Sequence, residues 1–138
     1  MVLEKAFTKQ QQHISEGEKV LDIKTNFMPY SMMLSRKEPV ELFVEVKNKG
    51  EEACALTIQL YTSHRLALDS GGLKNSQQIQ IESFKPNEKK NWYFRLFSKV
   101  TTEIGENPIL LRIIEHHGTD FALVKRRYNL DLTLLARR

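Results

Sequence analysis

The sequence is poor in features that mark secreted, metal-binding or membrane proteins. Cys54 is its single cysteine, so an internal disulfide is impossible and a zinc site with several thiolates is excluded. The amino-terminal residues contain no apolar run of signal-peptide length. No stretch approaches the ~20 apolar residues that span a bilayer. These absences predict a cytoplasmic protein without a membrane span.

The common catalytic and cofactor motifs are also missing. There is no GxSxG motif, and Gly71-Gly72 lacks the spacing and the lysine of a phosphate-binding loop. Cys54 is in phase with apolar neighbours, which predicts a buried, inert thiol. His116 and His117 suggest a metal-dependent or hydrolytic site, but neighbouring strand residues point to opposite faces, so a solvated turn is the simpler interpretation. We therefore expect no enzymatic activity, no metal and no cofactor.

Length and charge are those of an ordinary small domain. The chain has 138 residues, enough to bury a core without disulfides or metals. The net charge of +4 suits solubility and does not identify a nucleic-acid binder. Residues 1–18 are polar and irregular, which predicts a partly ordered amino-terminal arm. Residues 19–138 are predicted to form one domain.

Alternation of apolar and polar residues dominates that domain. Between Pro39 and Thr62, alternate residues are apolar on both sides of a polar break at 48–52, which predicts two strands that each bury one face. The second of these strands is expected to continue to Leu68. About seven such strands and no convincing helix predict an all-β, immunoglobulin-like antiparallel sandwich.

The last segment of the chain has a change of phase. Its apolar residues fall at odd positions near Phe121 and at even positions from Tyr128 onward. A regular strand would leave one of the two sets in water. We therefore predict a β-bulge or a bend near residues 125–127 that restores the phase.

Two short motifs resemble a known family. Val44-x-Val46-x-Asn48-x-Gly50, followed by a strand, is similar to the opening hairpin of CARDB-type domains. The sequence Phe84-Lys85-Pro86-Asn87-Glu88 before Trp92 resembles the turn ahead of that family's aromatic strand, although Asn87 stands where the family more often has glycine. The resemblance covers residues 38–116. It implies an immunoglobulin-like sandwich with a binding or structural role, and it implies no catalytic residues.

An apolar strip is the first candidate for a functional surface. Two late strands carry apolar side chains on their second faces, and these residues form one outer strip if the strands are neighbours: Tyr93, Phe97, Leu110 and Ile114. Such a strip favours a protein partner or a homodimer. Cover by another segment of the chain is an equally good interpretation.

Basic residues near the end of the chain offer a second candidate. Five of them lie in or beside the last strand: Lys125, Arg126, Arg127, Arg137 and Arg138. Clustered lysine and arginine bind phosphates, and nearby aromatics stack on bases. Binding of nucleic acid is therefore the alternative function, although such residues more often make a solvated face.

Overall fold

The computed structural model describes residues 11–14 and 19–138, and nearly all of their regular structure is β-strand. Within these ranges there is no helix, and so none that is long and apolar enough to cross a membrane. The all-β prediction is confirmed, and seven strands have eight or more residues: β2 (Leu21–Met28), β4 (Val40–Asn48), β5 (Cys54–Thr62), β7 (Ser76–Phe84), β8 (Lys89–Ser98), β9 (Gly105–His117) and β10 (Asp120–Arg137). Three shorter strands complete the set: β1 (Gln11–Ile14), β3 (Ser31–Met33) and β6 (Leu66–Ala67).

The strands form two sheets packed as a sandwich. The longer sheet has the order β1-β10-β9-β5-β7, and β3 is added beside β10. The shorter sheet has the order β2-β4-β8-β6. Every pairing is antiparallel except that of β3 with β10, which is parallel. Of the predicted arm, residues 11–14 form a strand of the longer sheet, and the rest of residues 1–18 lies outside the described residues.

The alternation of the sequence explains the core. In β4 every second residue from Val40 to Val46 is buried, as the period of two predicts. Apolar residues of both sheets meet in one cluster, whose largest fully buried members are Tyr128, Phe84, Leu21, Met32, Leu42, Leu56, Ile58, Leu60, Leu66, Leu96, Leu111 and Ile113. Cys54 is buried at its edge, as predicted.

Two expectations about connections were wrong. The strands β4 and β5 lie in different sheets, so the turn between them crosses the sandwich and does not close a hairpin. The buried Asn48 holds this crossing: its Nδ2 donates to the carbonyls of Glu52 and Phe84, and its Oδ1 accepts from the N–H of Gly50. Strand β5 also ends at Thr62, because the chain crosses to β6 in the shorter sheet.

The predicted bulge is present at the start of β10. The pairing of β10 with β9 shifts between Asp120 and Val124 and again between Val124 and Arg126, and the second shift overlaps the predicted position. The apolar residues before the shift are not all buried, since Leu123 is 50% exposed. The shift turns the even-numbered residues from Tyr128 to Ala136 toward the core. Residues 121–123 lie beside the outer face of β9, where the Phe121 ring meets the His116 ring edge-on at 5.1 Å.

Candidate functional site

The outer face of the shorter sheet carries an aromatic pair, in which one ring is exposed and the other is half-buried. Phe43 of β4 and Tyr93 of β8 are direct cross-strand partners, and their ring centroids are 5.2 Å apart. They point outward because the alternate residues of both strands, such as Leu42 and Phe94, fill the core. Tyr93 is 56% exposed, so a large amphipathic side chain lies open on a regular sheet surface.

Polar residues surround this pair. Arg95 and Glu41, the next outward pair along the strands, approach to 3.8 Å. On the other side, Lys24 of β2 lies opposite Glu45 of β4. An aromatic centre with a charged rim has the composition of a protein-binding surface. We call this surface the Phe43–Tyr93 face; it also includes Phe97 and the half-exposed Met28.

The predicted apolar strip does not exist as one surface. Tyr93 and Phe97 lie on β8 in the shorter sheet, whereas Leu110 and Ile114 lie on β9 in the longer sheet. The premise that these strands are neighbours was wrong, and the two pairs point away from each other on opposite sides of the sandwich. Ile114 is also only 9% exposed, between its cross-strand partners Thr57 and Arg127.

Phe43 was missed in the sequence, although a signal for it was present. Its neighbours Glu41, Glu45 and Lys47 occupy the same phase and are all charged. Charged residues at alternate positions indicate that this side of the strand faces water. An aromatic residue among them indicates a binding role for its ring. Its partner on β8 is not readable from the sequence, because cross-strand register depends on distant pairing.

The predicted basic patch is also divided. At ~3.3 Å per strand residue, β10 separates Arg127 from Arg137 by about 33 Å. Arg126 points inward, where its Nη1 lies 3.1 and 3.0 Å from the two carboxylate oxygens of Glu115. Lys125 lines a cleft beside it, and Arg138 follows Arg137 at the far end of the strand. The five residues therefore do not form one phosphate-binding surface.

Arg126 and Glu115 belong to a buried polar cluster that the prediction did not include. The hydroxyl of Tyr128 donates to Glu115 Oε1 at 3.1 Å and accepts from the backbone N–H of Val20 at 3.3 Å. Burial is the main cause that raises the pKa of Tyr128 to about 12, and the carboxylate of Glu115 acts in the same direction. Burial and then Glu115 likewise raise the pKa of the Cys54 thiol to about 11. The thiol therefore stays protonated at neutral pH, which does not suit a nucleophile.

The two histidines have different environments. His116 is buried, its Nε2 lies 2.7 Å from the Thr57 hydroxyl, and its Nδ1 donates to the carbonyl of Leu123 at 3.0 Å. Both ring nitrogens of His116 are thus engaged within the protein. His117 is exposed at the end of β9. Across residues 11–14 and 19–138, no group of three or more potential ligands could hold a metal ion.

A cleft of about 520 Å³ opens at this end of the sandwich. Its wall includes the Glu115–Arg126 pair, and its rim carries charges of both signs, among them Lys49, Glu51 and Lys125. Within the wall, Arg126 bonds to Glu115, and Asn48 bonds to Gly50 and Glu52. In the described chain, the two buried side-chain atoms without a partner are Gln59 Oε1 and Asn107 Oδ1, and neither residue lines the cleft. The groups of the described cleft that remain open to a ligand are therefore the exposed charges of its rim.

No protein family model matches the chain, and no curated protein is significantly similar to it in sequence.

Proposed function

We propose that this protein is a non-enzymatic interaction module that binds a partner protein through the Phe43–Tyr93 face. The observation that carries the proposal is the exposed Tyr93 ring against Phe43, on the outer face of the shorter sheet and next to the Glu41–Arg95 pair. Tyrosine and arginine are the residue types that most often dominate binding energy at interfaces. Tyr93 and Arg95 are adjacent outward residues of β8.

The rigidity of the surface supports this role. Phe43 stands on β4, which pairs with strands on both sides, and Tyr93 stands on β8, which pairs with β4 along most of its length and with β6 only at its end. Little conformational freedom is therefore lost when a partner binds. The charges of the rim alternate in sign, with Asp22 opposite Lys47 and Lys24 opposite Glu45. Such a rim favours a partner with complementary charges more than it favours a polyanion. The divided basic residues give no observation in favour of the nucleic-acid alternative.

Strand order supports an immunoglobulin-like assignment, which we propose on this basis. In constant-type immunoglobulin domains one sheet has the order A-B-E-D and the other contains C, F and G. The order β2-β4-β8-β6 corresponds to the first sheet, and β5, β9 and β10 correspond to C, F and G. Membership of the CARDB-type family remains a proposal that rests on the motifs at 44–50 and 84–94. A protein-binding role agrees with what that resemblance implies.

Site-specific photo-crosslinking tests the proposal. A photoreactive phenylalanine analogue replaces Tyr93 in one variant and Tyr61 in a control, since Tyr61 is an exposed tyrosine on the outer face of the other sheet. We expect irradiation in lysate of the source cells to give a discrete adduct from position 93 and none from position 61. Equal adducts at both positions, or none at either, would falsify the proposal.

The adduct also identifies the kind of partner. An adduct of twice the chain mass, together with concentration-dependent sedimentation of the pure protein, identifies a second copy. A different mass identifies another protein. In either case Tyr93→Lys should prevent association while the melting temperature stays close to that of the native protein, because an exposed position tolerates a charge.

A further inference from the structure

Three aliphatic side chains are exposed on two neighbouring loops at one end of the sandwich. Leu73 lies in the loop between β6 and β7, and Val100 and Ile104 lie in the loop between β8 and β9. Their exposed fractions are 88%, 102% and 56%, so Val100 is as accessible as in an unfolded peptide. We call these three residues the Val100 tip. Single exposed aliphatics are common, but a group on adjacent loops is the kind of apolar surface that marks a binding site.

The loops that carry the tip are well defined. Asp69 Oδ1 accepts hydrogen bonds from the backbone N–H groups of Leu73 and Lys74, at 3.0 and 2.7 Å. Thr102 closes the second loop, since its hydroxyl accepts from Lys99 N–H at 2.7 Å and its N–H donates to the Lys99 carbonyl at 3.0 Å. Side-chain bonds of this kind fix a turn. The aliphatic side chains are therefore held outward by ordered turns.

Further contacts join the two loops. A Cβ built on Gly72 would lie 3.9 Å from Lys99 Cγ, so the residues before Leu73 and Val100 are in near contact. The loop at 99–104 is also tied to the β5–β6 connection, because the Thr101 hydroxyl donates to the carbonyl of His64 and Arg65 forms an ion pair with Glu103 at 3.3 Å. The two loops that carry the Val100 tip are therefore in contact with each other.

Two lysines lie beside the most exposed aliphatic residues of the tip. Lys74 follows Leu73 and Lys99 precedes Val100, and neither lysine forms an ion pair within the described part of the chain. The same loops carry two acids: Asp69 accepts backbone hydrogen bonds within its own turn, and Glu103 forms an ion pair with Arg65. Each fully exposed aliphatic residue therefore has a lysine beside it in sequence.

From this arrangement we propose that the Val100 tip docks on an anionic lipid surface. The three aliphatic side chains enter the boundary between headgroups and acyl chains, where their apolar area leaves water. Lys74 and Lys99 remain at the headgroups, since a lysine stem can lie along apolar surface while its ammonium group contacts anionic lipid. The inference is independent of the Phe43–Tyr93 face, which lies on the side of the sandwich.

Vesicle co-sedimentation of the full chain tests this proposal. We expect binding to phosphatidylcholine vesicles that contain phosphatidylserine, and weaker binding to phosphatidylcholine alone. The double variant Leu73→Ser, Val100→Ser should bind at least about tenfold more weakly. Lys74→Gln with Lys99→Gln should weaken binding only to the anionic vesicles. Val100→Phe adds apolar area and should strengthen it.

The matched control is Leu123→Ser, which removes a half-exposed aliphatic side chain from the opposite end and should leave binding unchanged. The proposal is overturned if the native chain does not sediment with anionic vesicles, or if the Leu73→Ser, Val100→Ser variant binds as the native chain does. It is also overturned if Leu123→Ser has the same effect as the tip variant. If the tip substitutions instead abolish self-association of the pure protein, the tip is a protein contact and the lipid proposal is wrong.

Discussion

The two ends of the sandwich place charged and apolar side chains in opposite ways. At one end, Glu115 and Arg126 form an ion pair whose side chains are only 4% and 14% exposed. At the other end, Leu73 and Val100 are almost fully exposed. Both arrangements oppose the usual distribution of residues. The first removes charges from water and binds them to each other, so changes there should act on stability. The second leaves apolar area in water, so changes there should act on association.

Removal of Arg126 should have the largest effect on stability. Arg126→Ala leaves the carboxylate of Glu115 buried with the Tyr128 hydroxyl as its main remaining partner, and breaking a buried pair costs about 3–5 kcal/mol. Urea unfolding followed by circular dichroism measures the loss. The matched control is Arg95→Ala, which breaks the exposed pair with Glu41 and should cost at most about 1 kcal/mol. Equal losses in the two variants would show that the burial of Glu115 has no energetic consequence.

Alkaline pH should act at the same end. The pKa of Tyr128 is about 12 in the folded protein and near 10 when unfolded, so the native state favours the neutral hydroxyl. The contribution of the neutral Tyr128 hydroxyl to the free energy of unfolding is complete below pH 10. It is lost as the pH rises toward 12, and the loss reaches about 2 kcal/mol at pH 12. Cys54 adds a loss of the same sign, beginning near pH 9.

Unfolding free energies measured from pH 8 to 12 check this dependence. Tyr128→Phe should be less stable at pH 8, because Glu115 and Val20 lose a partner, but its stability should fall less steeply above pH 10. Tyr93→Phe, at an exposed tyrosine, should keep the native slope. A native slope in Tyr128→Phe would mean that Tyr128 does not control the alkaline transition.

The bond between Thr57 and His116 should give a smaller effect. Thr57→Val removes the hydroxyl 2.7 Å from His116 Nε2 and leaves that buried nitrogen without a partner, at a cost of about 1–3 kcal/mol. The control Thr133→Val changes a partly exposed threonine on the outer phase of the neighbouring β10 and should cost less than about 0.5 kcal/mol. Thermal unfolding of both variants measures the difference. Equal stability of the two variants would mean that the Thr57–His116 bond does not stabilise the fold.

The smallest effect on stability is expected at the Val100 tip. Leu73→Ser and Val100→Ser expose no core atom and break no backbone hydrogen bond, so each should change the unfolding free energy by less than about 0.5 kcal/mol. Urea unfolding measures this directly. A loss above about 2 kcal/mol would mean that these side chains contribute to the fold, and the contrast between the ends would disappear.

The sequence predicted the strands well because alternation is local information. A period of two located all seven long strands and the bulge in β10. It did not locate β6, because two residues cannot establish a period. The alternation also did not predict which strands pair with β8 and β9. Which sheet a strand joins depends on residues far away in the chain. The incorrect assumption that β8 and β9 are neighbours therefore placed Tyr93 and Leu110 in one strip.

The polar cluster was more predictable than the strip. Glu115 continues the odd-numbered phase of Ile109, Leu111 and Ile113, and Arg126 precedes the even-numbered phase of Tyr128. Opposite charges on the core phases of two consecutive strands are a signal for a buried ion pair. The exposed tip left no such signal, because Leu73 and Val100 lie in loops where apolar residues have no period.

The pairing of β1 and β3 with β10 has a consequence for the time that folding takes. Gln11 is the partner of Asp131, 120 positions later, and Ser31 is the partner of Leu135, 104 positions later. Chain segments this distant meet slowly, since closing the loop costs entropy before any contact forms. Domains dominated by such pairing fold in about milliseconds to seconds. Until β10 is in place, the inward residues of β9 lack their neighbours on one side, so the longer sheet should be the last part of the molecule to become ordered.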